Sequence, residues 1–110
     1  MFLFMIASSS AQTGRVGINT ATPGGLLHVN DGSVVFTGTA LDVTAPIPVS
    51  GPGIRMMWLP ELAAFRVGKI DNNNWDTLSV GTCSFATGLS SKASGNYSFA
   101  AGNQTNATRV

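Results

Sequence analysis

Residues with the chemistry for catalysis or metal binding are few in this sequence, and they are scattered. It has one histidine, His28, and one cysteine, Cys83, so neither residue type has a second copy with which to share a metal ion or form an internal disulfide. No Ser, His and acid set, phosphate-binding loop or carboxylate pair stands in a recognisable motif. The sequence predicts a protein that is not an enzyme and that uses no catalytic residue, cofactor or metal.

One run, residues 71–76, is rich in side-chain oxygens of the kind that bind calcium. Asp71 and Asp76 flank three asparagines and a tryptophan, Trp75. The run lacks the spacing of a calcium-binding loop and its bidentate glutamate. We therefore interpret the asparagines as a turn, with Trp75 capping the first coil of the segment that follows.

Charge and composition exclude nucleic-acid binding. The 110 residues carry six basic and five acidic side chains, a net charge of +1, and only 10% of the residues are charged. This balance offers no positive field for nucleic acid, and the length suits one domain. With 13 glycines and so few charges, we expect a neutral, hydroxyl-rich surface of the kind found in repeats and stalks.

The element that organises the chain is a repeat in its last part, residues 79–110. Residues 84–97 align with residues 98–108 at Ser, Phe, Ala and Gly, which gives a period of fourteen. A half-period of seven spaces two sets of small residues: Gly81, Gly88, Gly95 and Gly102, and Ala86, Ala93, Ala100 and Ala107. Because a repeat dictates the architecture, the rest of the chain must be organised around it.

A period of seven fits either a coiled coil or short strands joined by corners. In a coiled coil, each of these glycines would cost roughly 1 kcal/mol relative to alanine. As strands, each unit of seven would hold one strand and one corner, with glycine supplying the positive φ of the corner. We predict an all-β fold in which two strands and two corners close one fourteen-residue coil. Disorder is the alternative for such a composition, but it would not explain why Phe, Ala and Gly recur at equivalent positions of the repeat.

Alternation along these strands assigns their side chains to two faces. The interior of so narrow a coil admits Ala86 and Ala100 but hardly a phenylalanine, so Phe85 and Phe99 should point outward. Coils stacked about 4.8 Å apart would place the two rings one above the other in an external ladder. Such a ladder would mark an interaction face, which self-association about an axis parallel to the stack would bury.

The pattern Ser-Phe-Ala-Thr-Gly at residues 84–88, followed by Ser-Phe-Ala-Ala-Gly at residues 98–102, resembles the head repeat of trimeric autotransporter adhesins, the YadA-like head. The resemblance implies a left-handed parallel β-roll, a homotrimer and a bacterial surface protein that binds a host or matrix molecule. It also implies trimer contacts at Phe85 and Phe99, the periodic alanines in the roll interior and the periodic glycines at the corners. Arg109 departs from the pattern, since it stands where the next corner glycine is expected.

The N-terminal part suggests export and a fibre. Residues 1–11 are an apolar run that ends in small residues, and they resemble the later part of a secretory signal; a buried N-terminal strand is the alternative. From residue 14 onward, short β-prone runs alternate with turn signals, and parity leaves His28 exposed. This opening resembles that of exported bacterial fibre proteins, and similar repeats occur in phage tail fibres. A tail-fibre segment that presents a receptor-binding tip is therefore the alternative function.

Between the two parts, residues 54–78 indicate two strands about a turn, preceded by a connector rich in Pro and Gly. Alternation places Met56, Trp58 and Phe65 on one apolar face, with two arginines, Arg55 and Arg66, at its margins. A face of methionine and aromatic residues is more often protein core than a ligand cradle, so we expect it to be buried.

Together these features predict four segments: a signal-like segment at 1–11, a strand and turn segment at 12–53, a hairpin shoulder at 54–78 and incomplete head repeats at 79–110. The protein would lie at the bacterial cell surface or outer membrane, or in a virion fibre, with no membrane insertion by this segment. Because about two coils are present and repeat arrays generally need at least three, the chain would be a fragment of a longer polypeptide and marginal as a monomer.

Overall fold

The computed structural model describes residues 14–108, which form strands and turns without a helix. The predicted all-β class is confirmed. That range accordingly holds no helix long and apolar enough to cross a membrane. The signal-like run at residues 1–11 and the departure at Arg109 lie outside the described residues. The chain divides into two compact units, residues 1–35 and 36–110.

The described part of the first unit is a short parallel ladder. Strand β1 (Val16–Ile18) pairs with β2 (Leu27–Val29), with Val16 opposite Leu27. Parallel strands usually need a connection of a dozen residues or more. Here the connection is shorter, residues 19–26, and it begins at Asn19, which has a left-handed φ of 59°.

The second unit is built on a four-stranded sheet. Strands β3 (Gly53–Leu59) and β4 (Ala64–Ile70) form an antiparallel hairpin. Strand β5 (Phe85–Leu89) lies parallel to β4, and β7 (Phe99–Asn103) lies parallel to β5, so the order is β3-β4-β5-β7.

A second, two-stranded ladder accompanies this sheet. It pairs β6 (Lys92–Ala93) with β8 (Asn106–Ala107) in parallel. In the pair β5–β7 and in the pair β6–β8, the partners are fourteen residues apart: Phe85 lies opposite Phe99, and Lys92 lies opposite Asn106. The fourteen-residue period of the sequence is therefore the pairing register of the repeat strands.

Strand β4 joins the sheet although it lies before the repeat. Phe65 pairs with Phe85 and Gly68 with Gly88, an offset of twenty residues instead of fourteen. The Phe-x-x-Gly spacing of Phe65 and Gly68 is the same as in the two repeat strands. The longer offset is taken up by the loop between β4 and β5, which contains Trp75.

The core of this unit is small and lies on the inner face of the sheet. Its residues are Met57, Leu59, Leu62, Ala64, Ile70, Trp75, Ala86, Ala93 and Ala100. Trp75 is its largest side chain and is fully buried, and its indole N–H donates to the Ser91 carbonyl at 2.8 Å. Trp75, which the sequence predicts to cap the first coil, is thus a buried core residue that contacts the repeat.

The outer face of the hairpin differs from the prediction. Met56 is 70% exposed and Trp58 39% exposed, whereas Met57 and Leu59 face inward and are buried. Arg66, expected at the margin of the face, is fully buried on the inner side. The expectation of a buried Met and aromatic face was wrong, because the neighbouring residues of β3 are also apolar and it is they that cover the core.

The predicted connector is held to the hairpin and to the loop after β4. The Asp42 N–H donates to the Glu61 carbonyl at 2.7 Å, and the Gly51 N–H donates to Asp76 Oδ1 at 2.6 Å. Asp42 also accepts bonds from the hydroxyl and N–H of Thr44, which hold the pKa of its carboxyl below its usual value. This segment is therefore fixed by backbone and carboxylate hydrogen bonds, without strands of its own.

Candidate functional site

An unbroken line of aromatic side chains crosses the outer face of the sheet. The rings of Phe65, Phe85 and Phe99 stack at centroid distances of 5.4 and 5.1 Å, with interplanar angles of 26° and 13°. Trp58 lies opposite Phe65 and extends the line onto β3. We call Trp58, Phe65, Phe85 and Phe99 the aromatic row. Phe99, at its end, is 66% exposed, so the row is open to solvent there.

Two further rows complete what we call the outer face. The second row contains Met56, Val67, Thr87 and Ala101, and the third contains Ile54, Lys69, Leu89 and Asn103. Lys69 is the one charged residue among these twelve positions, and its ammonium group lies 3.0 Å from the Asp71 carboxylate. The outer face is thus apolar beside the aromatic row and becomes polar at its far margin.

The periodic alanines line the opposite, inner side of the strands. Ala86 and Ala93 are fully buried and Ala100 is 3% exposed, while Ala107 is half-buried. Ala86 and Ala100 lie side by side in the sheet, and Ala93 and Ala107 do so in the second ladder. The space between the two ladders is filled by these methyl groups, and alternation along the strands turns Phe85 and Phe99 to the other side.

Arg66 occupies the place of the interior alanine in β4. Its guanidinium donates to the Ser84 carbonyl at 3.1 Å, the Ser84 hydroxyl at 2.7 Å and the Ala93 carbonyl at 2.9 Å. Burial lowers the pKa of Arg66 to about 10. One side chain therefore connects β4 to the start of β5 and to β6. Sequence reasoning missed this role, although Arg66 follows Phe65 as Ala86 follows Phe85.

The periodic glycines permit close approach of neighbouring strands. Gly88 and Gly102 lie within β5 and β7, with φ of 106° and 125°, and not at the corners as predicted. A Cβ atom on Gly88 would overlap the Gly102 carbonyl oxygen, and one on Gly81 would overlap that of Gly95. These positions are therefore restricted to glycine by the backbone of the next coil.

The positive φ of the corners is adopted by residues other than glycine, while Gly81 and Gly95 lie at the entry to two of these corners. Cys83 and Tyr97 have φ of 53° and 60°, and Ser90 and Gln104 have φ of 52° and 53°. Equivalent N–H groups at these corners donate to the adjacent coil, such as Gln104 to the Leu89 carbonyl at 2.7 Å. Because the residue type changes from coil to coil at each corner, the sequence carries no signal for them.

The serine that precedes each phenylalanine is bound to a periodic glycine. The Ser84 hydroxyl donates to the Gly81 carbonyl, and the Ser98 hydroxyl donates to that of Gly95. Each bond closes the loop that leads into β5 or β7. The three residue types of the repeat thus have separate structural roles. The serine forms a hydrogen bond at the corner, the phenylalanine ring points outward, and the glycine permits close approach of the backbone.

The other polar candidates have local partners. The Asp76 carboxylate accepts from the Gly51 N–H and from the Asn73 amide, which lower its pKa. His28 Nδ1 accepts from the Gly24 N–H at 3.0 Å. Between residues 14 and 108, no three His, Cys, Asp or Glu side chains are grouped so as to hold a metal ion. Cys83 is exposed at its corner.

A shallow hollow lies at the open end of the two ladders. Its volume is about 290 Å³, and it is lined by Phe99, Ala100, Ala101, Thr105, Asn106 and Ala107. None of these side chains titrates. The hollow lies beside the exposed edges of β7 and β8, so the chemistry it offers is apolar contact and backbone hydrogen bonding.

Comparison with protein-family models, with curated proteins and with solved structures finds no match to this chain. The functional interpretation therefore rests on the pairing register and on the outer face.

Proposed function

We propose that this chain is a head segment of a trimeric bacterial surface adhesin, a non-enzymatic protein that mediates attachment to a host or matrix molecule. The observation that carries the proposal is the fourteen-residue parallel register, which stacks Phe85 on Phe99 outside and Ala86 beside Ala100 inside. This register supports a left-handed parallel β-roll of the kind found in YadA-like heads.

Trimer formation would use the outward phenylalanines. Phe99 is largely exposed, and burying a phenylalanine is worth roughly 1.5–3 kcal/mol. In a homotrimer whose axis runs parallel to the stack, Phe85 and Phe99 of each copy would contact the rings of the other two. The exposed corners and the second ladder would then face outward and carry the attachment surface, displayed by an exported protein at the cell surface or outer membrane.

A phage-like tail-fibre segment is the second candidate. The observation in its favour is the first unit, where Val16–Ile18 and Leu27–Val29 also pair in parallel over a short offset. Laterally stacked short strands outside the repeat suit a fibre whose role is structural and whose receptor-binding tip lies elsewhere. In that case the same trimer would form, but it would bind no host surface itself.

The first test is the oligomeric mass of the full chain by light scattering, beside a Phe85→Asp, Phe99→Asp variant. We expect a trimer that the double substitution converts to monomer, because charged side chains replace rings that would face one another. Leu78→Asp is the matched control, since Leu78 is 89% exposed and lies outside the sheet. A folded monomer that is indifferent to both changes would contradict the proposal.

The second test separates adhesin from fibre. The trimer is applied to surfaces coated with extracellular-matrix proteins and to fixed host cells, and retention is measured by antibody. Saturable retention supports the adhesin. A stable trimer that none of these surfaces retains supports the structural fibre.

A further inference from the structure

We infer that the hairpin belongs to the same self-association interface as the repeat, and that the outer face of β3 and β4 is covered by other copies of this chain. The inference rests on the proposed trimer and extends it to residues outside the repeat: Ile54, Met56 and Trp58. The interface would then be a continuous surface of four strands, and the hairpin would be part of the assembly instead of a shoulder beside it.

The direction of the aromatic row supports this assignment. Trp58, Phe65, Phe85 and Phe99 are direct neighbours on successive strands, so the row runs along the stacking direction. With strands about 4.8 Å apart, the row is about 15 Å long. A symmetry axis parallel to the stack therefore runs parallel to the whole row. It would bring Trp58 near its own copies just as it brings Phe99 near its own.

The side chains become less apolar with distance from this row. The second row has no charged or amide side chain, whereas the third row adds Lys69 and Asn103 to the apolar Ile54 and Leu89. A closed assembly buries what lies nearest its axis most deeply, and the rim of an interface is its polar part. The pattern therefore places the axis beside the aromatic row, with the third row at the rim. Lys69 lies 3.0 Å from Asp71, so it brings little net charge to the contact.

The hairpin supplies about half of the outer face. Four strands by three rows cover roughly 400 Å² in projection, of which β5 and β7 supply about half. A contact confined to the repeat strands would leave Ile54 and Met56 in water at 81% and 70% exposure.

Trp58 is a natural reporter for the test. The chain has two tryptophans, and Trp75 is fully buried, so a collisional quencher such as acrylamide reaches Trp58 in preference. Quenching of the full chain is measured across a dilution series whose oligomeric mass is followed in parallel. If the inference holds, the quenching constant falls several-fold as the trimer forms.

Two substitutions test the contact directly. Trp58→Asp and, separately, Met56→Glu should each raise the concentration at which half of the trimer dissociates by about tenfold or more, since an interface contact of about 1.4 kcal/mol corresponds to that factor. Met56 is so exposed that its substitution removes little packing within the chain, which guards against a variant that fails to fold. Leu78→Asp, outside the face, should leave the dissociation concentration unchanged.

The outcomes separate this inference from the proposed function. Protection of Trp58 together with weakened assembly of both variants supports it. A trimer that Phe85→Asp, Phe99→Asp dissociates, but in which Trp58 remains quenchable and both hairpin variants assemble normally, overturns the inference and leaves the proposed function standing. A chain that stays monomeric at all concentrations overturns both.

Discussion

The two ends of the parallel sheet, β4 and β7, are alike on the outside and different on the inside. Each presents a phenylalanine outward and a glycine three residues later, Phe65 and Gly68 in one and Phe99 and Gly102 in the other. Inside, β4 carries the buried Arg66 where β7 carries Ala100. The β4 end is covered by the hairpin strand β3, whereas β7 has a single strand neighbour among residues 14–108.

The difference indicates that residue type is constrained separately in the aromatic row and on the inner side of the strands. Outside, ring stacks on ring, so the residue type is the same at each level. Inside, the residue type depends on which groups lie across the narrow interior. At the β4 end, Arg66 spans it and binds carbonyl oxygens of Ser84 and Ala93. At the β7 end the methyl group of Ala100 fills the space and binds nothing. The link between the ladders there is the hydroxyl of Ser91, just before β6, which donates to the Gly102 carbonyl in β7 at 2.7 Å.

Removing Arg66 should have the largest effect on stability. Arg66→Ala leaves a cavity and deprives several buried oxygens of their donor, so we expect the free energy of unfolding to fall by about 3–5 kcal/mol, measured by urea denaturation. Arg66→Met keeps most of the volume and should lose roughly 1–3 kcal/mol from the missing hydrogen bonds. If the methionine variant were as stable as the parent, Arg66 would act by volume alone and the contrast with Ala100 would lose its basis.

The same substitution at two of the periodic glycines separates the effect of the neighbouring coil from that of backbone conformation. In Gly88→Ala the new Cβ atom meets the Gly102 carbonyl, so the strands must separate; we expect a loss of about 3 kcal/mol, seen as a lower urea midpoint. In Gly102→Ala the nearest atom is Thr105 Cγ2 at 3.2 Å, and the backbone strain at its φ of 125° should cost about 1–2 kcal/mol. Equal losses would mean that conformation, and not the neighbouring coil, restricts these positions.

The smallest expected effect on stability comes from the hydrogen bond between Gly51 and Asp76, at the end covered by β3. It is visible only in how stability depends on pH. The Gly51 N–H, just before β3, lowers the pKa of Asp76 below 3.8. The stabilisation is therefore complete above pH 3.8 and is lost as the pH falls from there through the folded-state pKa. Thermal melts between pH 2 and pH 6 should show a shallower acid dependence for Asp76→Asn. Parallel curves for the two proteins would show that this bond does not stabilise the attachment of β3.

The sequence predicted those features that a repeat fixes locally. The period became the register, and parity along β5 placed Phe85 outside and Ala86 inside, because one residue type was too large for the interior and the other was not. The same reasoning failed in β3, where Met56 and Met57 are both apolar. Parity divides such a strand into two faces without saying which one is buried.

Other features lacked a sequence signal of the kind that the repeat supplies. Strand β4 joins the sheet at an offset of twenty residues, which a search for a period of fourteen passes over. The role of Arg66 follows only after that alignment is known. Tyr97 and Gln104 adopt a left-handed conformation at their corners, and tyrosine and glutamine are residue types that seldom indicate such a conformation in a sequence.

The loop between β4 and β5 shows how such a chain could change length during evolution. It absorbs six residues more than a repeat connection, yet Phe65 and Phe85 remain in register. Insertions at this boundary are thus neutral for both faces, and an in-frame duplication of one fourteen-residue unit would add a rung without altering the rungs already present. A deletion of one residue inside β5, by contrast, would exchange the two faces from that point onward. Selection should therefore tolerate changes of length in the loop between β4 and β5 and remove them within the strands.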